Sequence, residues 1–167
     1  GAIDAQPPGT PWFAFVHTYD VHCPYDPPAP YAGMFRSDGA EPIDTADRCG
    51  ATYYNQVPLR PGQRAHVIDQ YDAGVRWADA ALGELIWGLE TRGMLDHTVL
   101  IITSDHGEEF WEHGSVGHGR TLHDEVLRVP LLIVDPAQPA TRVDTPVGLV
   151  DVLPTVLERV SLPPDDD

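Results

Sequence analysis

The chain of 167 residues is long enough for one domain with a sizeable core, and its 42% hydrophobic share is that of an ordinary globular protein. Its 26 acidic side chains against 10 basic ones give a formal charge of -16, a surface that repels phosphate backbones and argues against nucleic acid as a partner. No apolar run is long enough to span a membrane and no signal peptide opens the chain, so localisation stays unassigned.

Every base is an arginine, which removes one common anion-binding residue, lysine. The two cysteines, Cys23 and Cys49, pair or remain thiols; both readings are open. For Cys23-Pro24 a half-buried thiol in a turn is a simpler reading than a nucleophile.

In chain order, residues 1–11 read as a linker. Trp12 to Val16, "WFAFV", suits a buried strand. Residues 19–61 are rich in Pro, Gly, Asp and Tyr without a sustained period, and predict a long ordered excursion anchored by Tyr25, Tyr31, Phe35, Tyr53 and Tyr54. Ala65 to Arg92 is the clearest helix. Val67, Ile68, Tyr71, Val75, Ala78, Leu82, Leu85, Ile86 and Leu89 recur there at helical spacing, and Gly93 supplies a stop. A strand follows from Thr98 to Thr103, then a loop crowded with acids and histidines and a helix-like piece near Leu122 to Leu127. Val129 to Val134 is a second continuous apolar strand. Val147 to Val160 runs into a terminal helix beginning near Pro154, and residues 161–167 form an acidic tail.

Strands apolar on both faces, alternating with helices, predict an α/β fold with a mostly parallel sheet flanked by helices. Ligands in such folds gather at the carboxyl ends of strands. The loops after Val16 and Thr103 occupy such ends, and the histidines and aspartates collect in both. The first holds His17, Asp20 and His22, stiffened by prolines; a packed turn with backbone-bonded histidines explains it equally well. In the second, Asp105 and His106 are a natural ligand pair for a divalent cation, and Gly107 would let the chain bend without crowding the ion. The competing reading has Asp105 capping a helix and His106 solvated. Glu108, Glu109 and Glu112 read as scaffold or surface carboxylates. His113 and His118 each precede a glycine, where backbone can approach a ligand and an imidazole can act on an anionic ester.

Three stretches together carry a resemblance: "TSDHGEEFWEHG", "TLHDEVLRVPLLIV" and "VGLVDVLPTVLE". They resemble the C-terminal part of the sulfatase catalytic domain, in the alkaline phosphatase superfamily. "FAFVHTYDVHCPYDPP" is similar to the family's "H-x-x-x-P-H-x-P-Y-x-P-P" segment, and "YDAGVRWADAALGELIWGLETRGMLDHTVLIITSDHG" to its long helix leading into the metal-ligand strand. The resemblance covers Trp12 to Pro163 in the family's order.

It implies a partial alkaline-phosphatase-like or sulfatase domain over residues 1–167, in which Asp105 and His106 are the metal pair. His22 and His118 become the catalytic residues, and His22, His113, His118 and Arg120 the substrate-binding ones; His17 and Asp20 are additional candidates. Many sulfatases place a lysine five positions after the histidine of "EHG", where this chain has His118. The family's N-terminal "C/S-x-P/A-x-R" nucleophile motif and its first Asp pair are absent, so no nucleophile is assigned and this chain alone is expected to be inactive. The implied cofactor is a divalent ion: calcium, which an oxygen-only site would favour, or manganese or zinc given the imidazole of His106. The implied partner is a small anionic ester, and sheet edges left open would favour self-association.

Three functions follow from these expectations: a metal-dependent sulfuric-ester hydrolase; a phosphodiesterase, phosphonate monoester hydrolase or phosphoethanolamine transferase of the same superfamily; and a truncated, non-catalytic module that binds anions or partners.

Overall fold

The computed structural model describes residues 7, 9–45 and 56–163. The readings of Cys49, Tyr53 and Tyr54, and most of the linker and tail readings, lie outside the described residues. The chain divides into two compact units, residues 1–85 with 110–116, and residues 86–109 with 117–167.

Helix α1, Pro61–Glu90, starts one turn earlier than the periodicity predicts. Pro61-Gly62 reads locally as a breaker, yet proline fits the first helical turn, where its missing N–H is no loss. Gln63 accepts the Arg60 backbone N–H through Oε1 at 3.0 Å, half of a capping box. The helix stops where predicted: Gly93 adopts φ 64, and the Met94 N–H returns to the Leu89 carbonyl at 3.0 Å. Its apolar stripe is only partly covered. Val67 and Leu89 are buried, whereas Val75 and Leu85 reach solvent; the buried patch centres on Val67, Asp69, Gln70 and Ala73.

That patch meets the core of the first unit, built from Cys23, Tyr25, Leu59, Val67 and Val116 with Ile43, Tyr71, Phe110 and Trp111 packed against it. Tyr71 and Phe110 rings lie 4.8 Å apart, and Tyr25 meets both at 5.9 and 5.7 Å. Tyr25 thus anchors the excursion as expected. Two polar ties hold it further: the Ser37 N–H and hydroxyl both donate to Asp69 (3.0 and 2.7 Å), and the Thr45 hydroxyl donates to the Tyr25 carbonyl (2.7 Å). Cys23 is disulfide-bonded, which closes the open thiol reading and removes it as a nucleophile. Trp12 to Val16, expected as a buried strand, is neither. Phe13, Phe15 and Val16 are 79%, 80% and 73% exposed, and among the described residues no strand pairs with the run. A doubly apolar run is covered only when neighbours flank it on both sides.

In the second unit, β1 (Leu100–Thr103) pairs with β4 (Leu131–Val134), Leu100 opposite Val134 and Thr103 opposite Leu131. The pairing is antiparallel, so the expected mostly parallel sheet is not what the described strands build. Continuous apolar runs signal burial and carry no direction. Even the burial is incomplete here, since Leu132, Ile133 and Val134 are 43–52% exposed. β2 (Glu109–Phe110) and β3 (Val116–Gly117) form a second, minimal sheet. α2 is the short helix Asp124–Leu127, and α3 is Val152–Arg159. Arg159 of α3 pairs with Asp135, just beyond β4, whose side chain is 7% exposed. No helix of the described residues is long and apolar enough to cross a membrane.

Two consequences are measurable. Tyr25→Ala removes the central ring of the first core and is expected to cost about 3 kcal/mol in urea unfolding. Partial burial pushes the Asp72 carboxyl above its ordinary value, and the Asp69 charge one turn back adds to the push. A raised folded value means the ionised form costs stability at neutral pH, and this cost fades as acid protonates the group. Asp72→Asn is therefore expected to raise the urea midpoint at neutral pH, with the gain disappearing in acidic buffer below the carboxylate range. A gain that grows on acidification contradicts this.

Candidate functional site

The second strand-end loop begins where β1 stops. The Ser104 hydroxyl donates to the His106 carbonyl at 2.6 Å, closing a tight turn. It throws Asp105 outward, its side chain 72% exposed, while the His106 N–H donates to Asp105 Oδ1 at 3.0 Å. His106 Nε2 lies 3.7 Å from Asp105 Oδ2. His106 Nδ1 sits 2.9 Å from the Gly107 carbonyl. A carbonyl only accepts, so Nδ1 carries the proton, and Nε2 is the nitrogen of the neutral ring that holds a lone pair.

Gly107 has a tighter duty than relieving a metal site. Its N–H donates to the Val126 carbonyl of α2 at 2.7 Å, and a Cβ at this position would stand 2.1 Å from the Glu125 carbonyl oxygen. Only a residue without a side chain allows that approach. The loop after β1 is thereby clasped to α2.

Beyond the clasp, Glu108 and Glu109, read as scaffold or surface carboxylates, are not at the surface and fit the scaffold half of that reading. The Glu108 side chain is 7% exposed and Glu109 is fully buried. Each is held by a hydrogen bond to a residue ten or more positions on. His118 Nδ1 lies 2.9 Å from Glu108 Oε1, and the Thr121 hydroxyl donates to Glu109 Oε2 at 3.0 Å. The His118 ring also stacks on His106, centroids 3.9 Å apart and planes 30° inclined. The two imidazoles, Gly119, Arg120, Thr121, Leu122 and Val126 line a cavity of about 340 Å³. Thus His106, His118 and Arg120, three of the candidates, share one cavity. A signal for Glu108 did exist in the sequence, its nearness to the Asp105-His106 pair, but the surface prior for glutamate outweighed it.

The remaining candidates belong to the first unit. His113 lies exposed in the turn between β2 and β3, beside Glu112, whose carboxylate accepts the Phe110 N–H. His17 and Tyr19 rings sit 4.8 Å apart, and Tyr19 meets His22 edge-on at 5.6 Å. Asp20 accepts the Thr18 hydroxyl at 2.6 Å. His22 Nδ1 donates to the Cys23 carbonyl at 2.6 Å, the same acceptor-only arrangement as in His106.

Asp105 and His106 are suited in kind to a divalent cation, and their 3.7 Å donor spacing is one that metal–ligand bonds of about 2.1 Å can bridge. Two donors are only part of a shell. Among the described residues no group of three or more His, Cys, Asp or Glu side chains is arranged to hold an ion.

The loop after β1 thus sets an Asp-His pair beside a stacked second histidine, with both histidines and Arg120 lining one cavity, and the chain belongs to the sulfatase family, whose sequence model matches residues 1–162. Arylsulfatase K of Bos taurus is 41% identical over 86 residues, covering 51% of this chain and 16% of that protein. The multifunctional alkaline phosphatase superfamily protein PehA of Trinickia caryophylli is 27% identical across 90% of this chain and 34% of its own length. The phosphonate monoester hydrolase of Agrobacterium radiobacter superposes with a TM-score of 0.82 over 98% of this chain and 37% of that one, at 24% identity, which establishes an alkaline-phosphatase-like fold. The chain spans about a third or less of these relatives.

The clasp is directly testable. Gly107→Ala is expected to destabilise the second unit by about 3 kcal/mol in urea unfolding, because backbone rather than a flexible side chain must move. A stability within a few tenths of a kcal/mol of wild type would show that the approach is not constraining.

Proposed function

We propose that this chain carries part of the active site of a hydrolase acting on sulfate esters. The observation that carries the reading is the meeting of His106, His118 and Arg120 in one cavity beside Asp105. In this reading Asp105 and His106 contribute two donors to a divalent ion, which would polarise the ester oxygens when bound. Manganese or zinc suits the imidazole of His106 better than calcium does. Arg120 offers planar N–H donors to a tetrahedral anion, and His118 acts through Nε2 on the transferring group or the departing alcohol. His22 is kept as a substrate-side candidate on the family resemblance, with His113, His17 and Asp20 as further candidates, all four in the first unit.

A second reading is supported by two specific findings, the fold shared with a phosphonate monoester hydrolase and the extended similarity to PehA. Phosphoryl esters present the same tetrahedral oxyanion, so these residues would serve either substrate. Both readings need a nucleophile; none is assigned in this chain, and Cys23 is not available as one because it is disulfide-bonded.

Calorimetric titration with manganese, zinc and calcium tests the donor pair. Wild type is expected to bind at least one of them, with affinity falling roughly 10–100-fold in Asp105→Asn and in His106→Ala. Identical titrations in wild type and both variants would remove the metal assignment. In the same preparations, turnover of p-nitrophenyl sulfate and bis-p-nitrophenyl phosphate is expected to be negligible; robust turnover would contradict the partial-site reading.

A further inference from the structure

We infer that Glu108 is a positioning residue that commits His118 to act through Nε2. This rests on the reading of His118 as a group that meets the substrate. Three observations converge on it. Glu108 Oε1 lies 2.9 Å from His118 Nδ1, and an ionised carboxylate can only accept, so the Nδ1 proton is the one shared. The Glu108 side chain is 7% exposed while His118 is 29% exposed, so the carboxylate sits behind the ring and the imidazole lines the cavity. The face of the ring rests on His106 at 3.9 Å, and His106 is itself pinned by its Nδ1–H bond to the Gly107 carbonyl at 2.9 Å.

The physical consequence follows from imidazole chemistry. A neutral imidazole has one N–H and one lone pair, and the hydrogen bond made by one nitrogen decides the role of the other. With Nδ1–H committed to Glu108, Nε2 is the nitrogen that accepts or delivers a proton at the substrate. Flipping the ring would put a C–H against the carboxylate and lose a charge-assisted hydrogen bond. Stacking on His106 adds a steric restraint on the same rotation. Glu108 touches no substrate in this scheme and acts only through His118. Carboxylate–imidazole pairs hold metal-bound and catalytic histidines elsewhere by the same means.

Long-range proton–nitrogen correlation spectra of the labelled chain in alkaline buffer read each histidine's tautomer directly, with His118→Gln identifying the His118 signals. Wild-type His118 is expected in the Nδ1–H form. Glu108→Ala is expected to lower that population by about twofold or more, while Glu108→Gln, whose Oε1 still accepts, retains it. A packing role alone would not move a tautomer ratio. His118 in the Nε2–H form in wild type overturns the inference, as does an unchanged ratio in a folded Glu108→Ala chain. Should that variant not fold, the wild-type and Glu108→Gln spectra decide. Titration with inorganic sulfate and phosphate separates this from the underlying reading. If His118 holds its Nδ1–H form and neither anion perturbs its signals, the anion-facing role fails while the Glu108 assignment stands.

Discussion

The backbone of Gly107 comes closer to α2 than any side chain would permit, and the candidate site depends on that approach. A hydrogen bond of 2.7 Å to the Val126 carbonyl holds the loop after β1 against a helix of only four residues. Such a helix is too short to be stable by itself, so its position comes from packing and from contacts such as this one. Val126 is buried by the same packing, and its side chain helps line the cavity. The clasp thus sets two walls at once: it fixes the turn that presents Asp105 and His106, and it fixes the segment from His118 to Val126 opposite. The two carboxylates that follow Gly107 complete the arrangement by tying His118 and Thr121 into place.

The acidic loop is largely a positioning framework around the candidate site. Of its four acids, Asp105 is exposed beside His106 and Glu112 is bound up in the β2–β3 turn. Glu108 and Glu109 are withdrawn from water and paired with groups that line the cavity. A buried carboxylate is costly unless its lone pairs are occupied, and the partners here supply that compensation. The strongly acidic composition therefore hides a distinction: some of these charges are part of the site's architecture.

What could be read from the sequence followed from how local its cause was. The helix Pro61–Glu90 and its glycine stop depend on spacing and on capping chemistry within a few residues, and both were legible. So was the Asp-His pair at a strand end, because strand, turn and residue types are contiguous. Strand direction was not. Leu100–Thr103 and Leu131–Val134 each look buried and apolar, and nothing within either run says how it pairs. Trp12 to Val16 misled for a related reason, since its cover depends on neighbours that no local pattern specifies. Glu108 and Glu109 were missed because their partners lie ten and twelve residues on, beyond a hairpin, where residue-type averages are blind to the particular hydrogen bond.

The lysine-free composition takes on a specific meaning at His118. By the family resemblance His118 stands where a lysine is expected, and an ammonium donates whatever its surroundings. An imidazole has no such fixed character: it donates, accepts or does both according to its charge and tautomer. Replacing an unconditional donor by a conditional one adds a requirement, namely a group that fixes which nitrogen faces the reaction. In the proposed scheme Glu108 meets it through its contact with Nδ1, and the stacked His106 restrains the rotation that would undo it. An imidazole also brings a capacity the ammonium lacks at neutral pH, since Nε2 of a neutral ring protonated on Nδ1 can take a proton. The buried carboxylate and the missing lysine are in this sense one design feature, distributed over ten residues of chain.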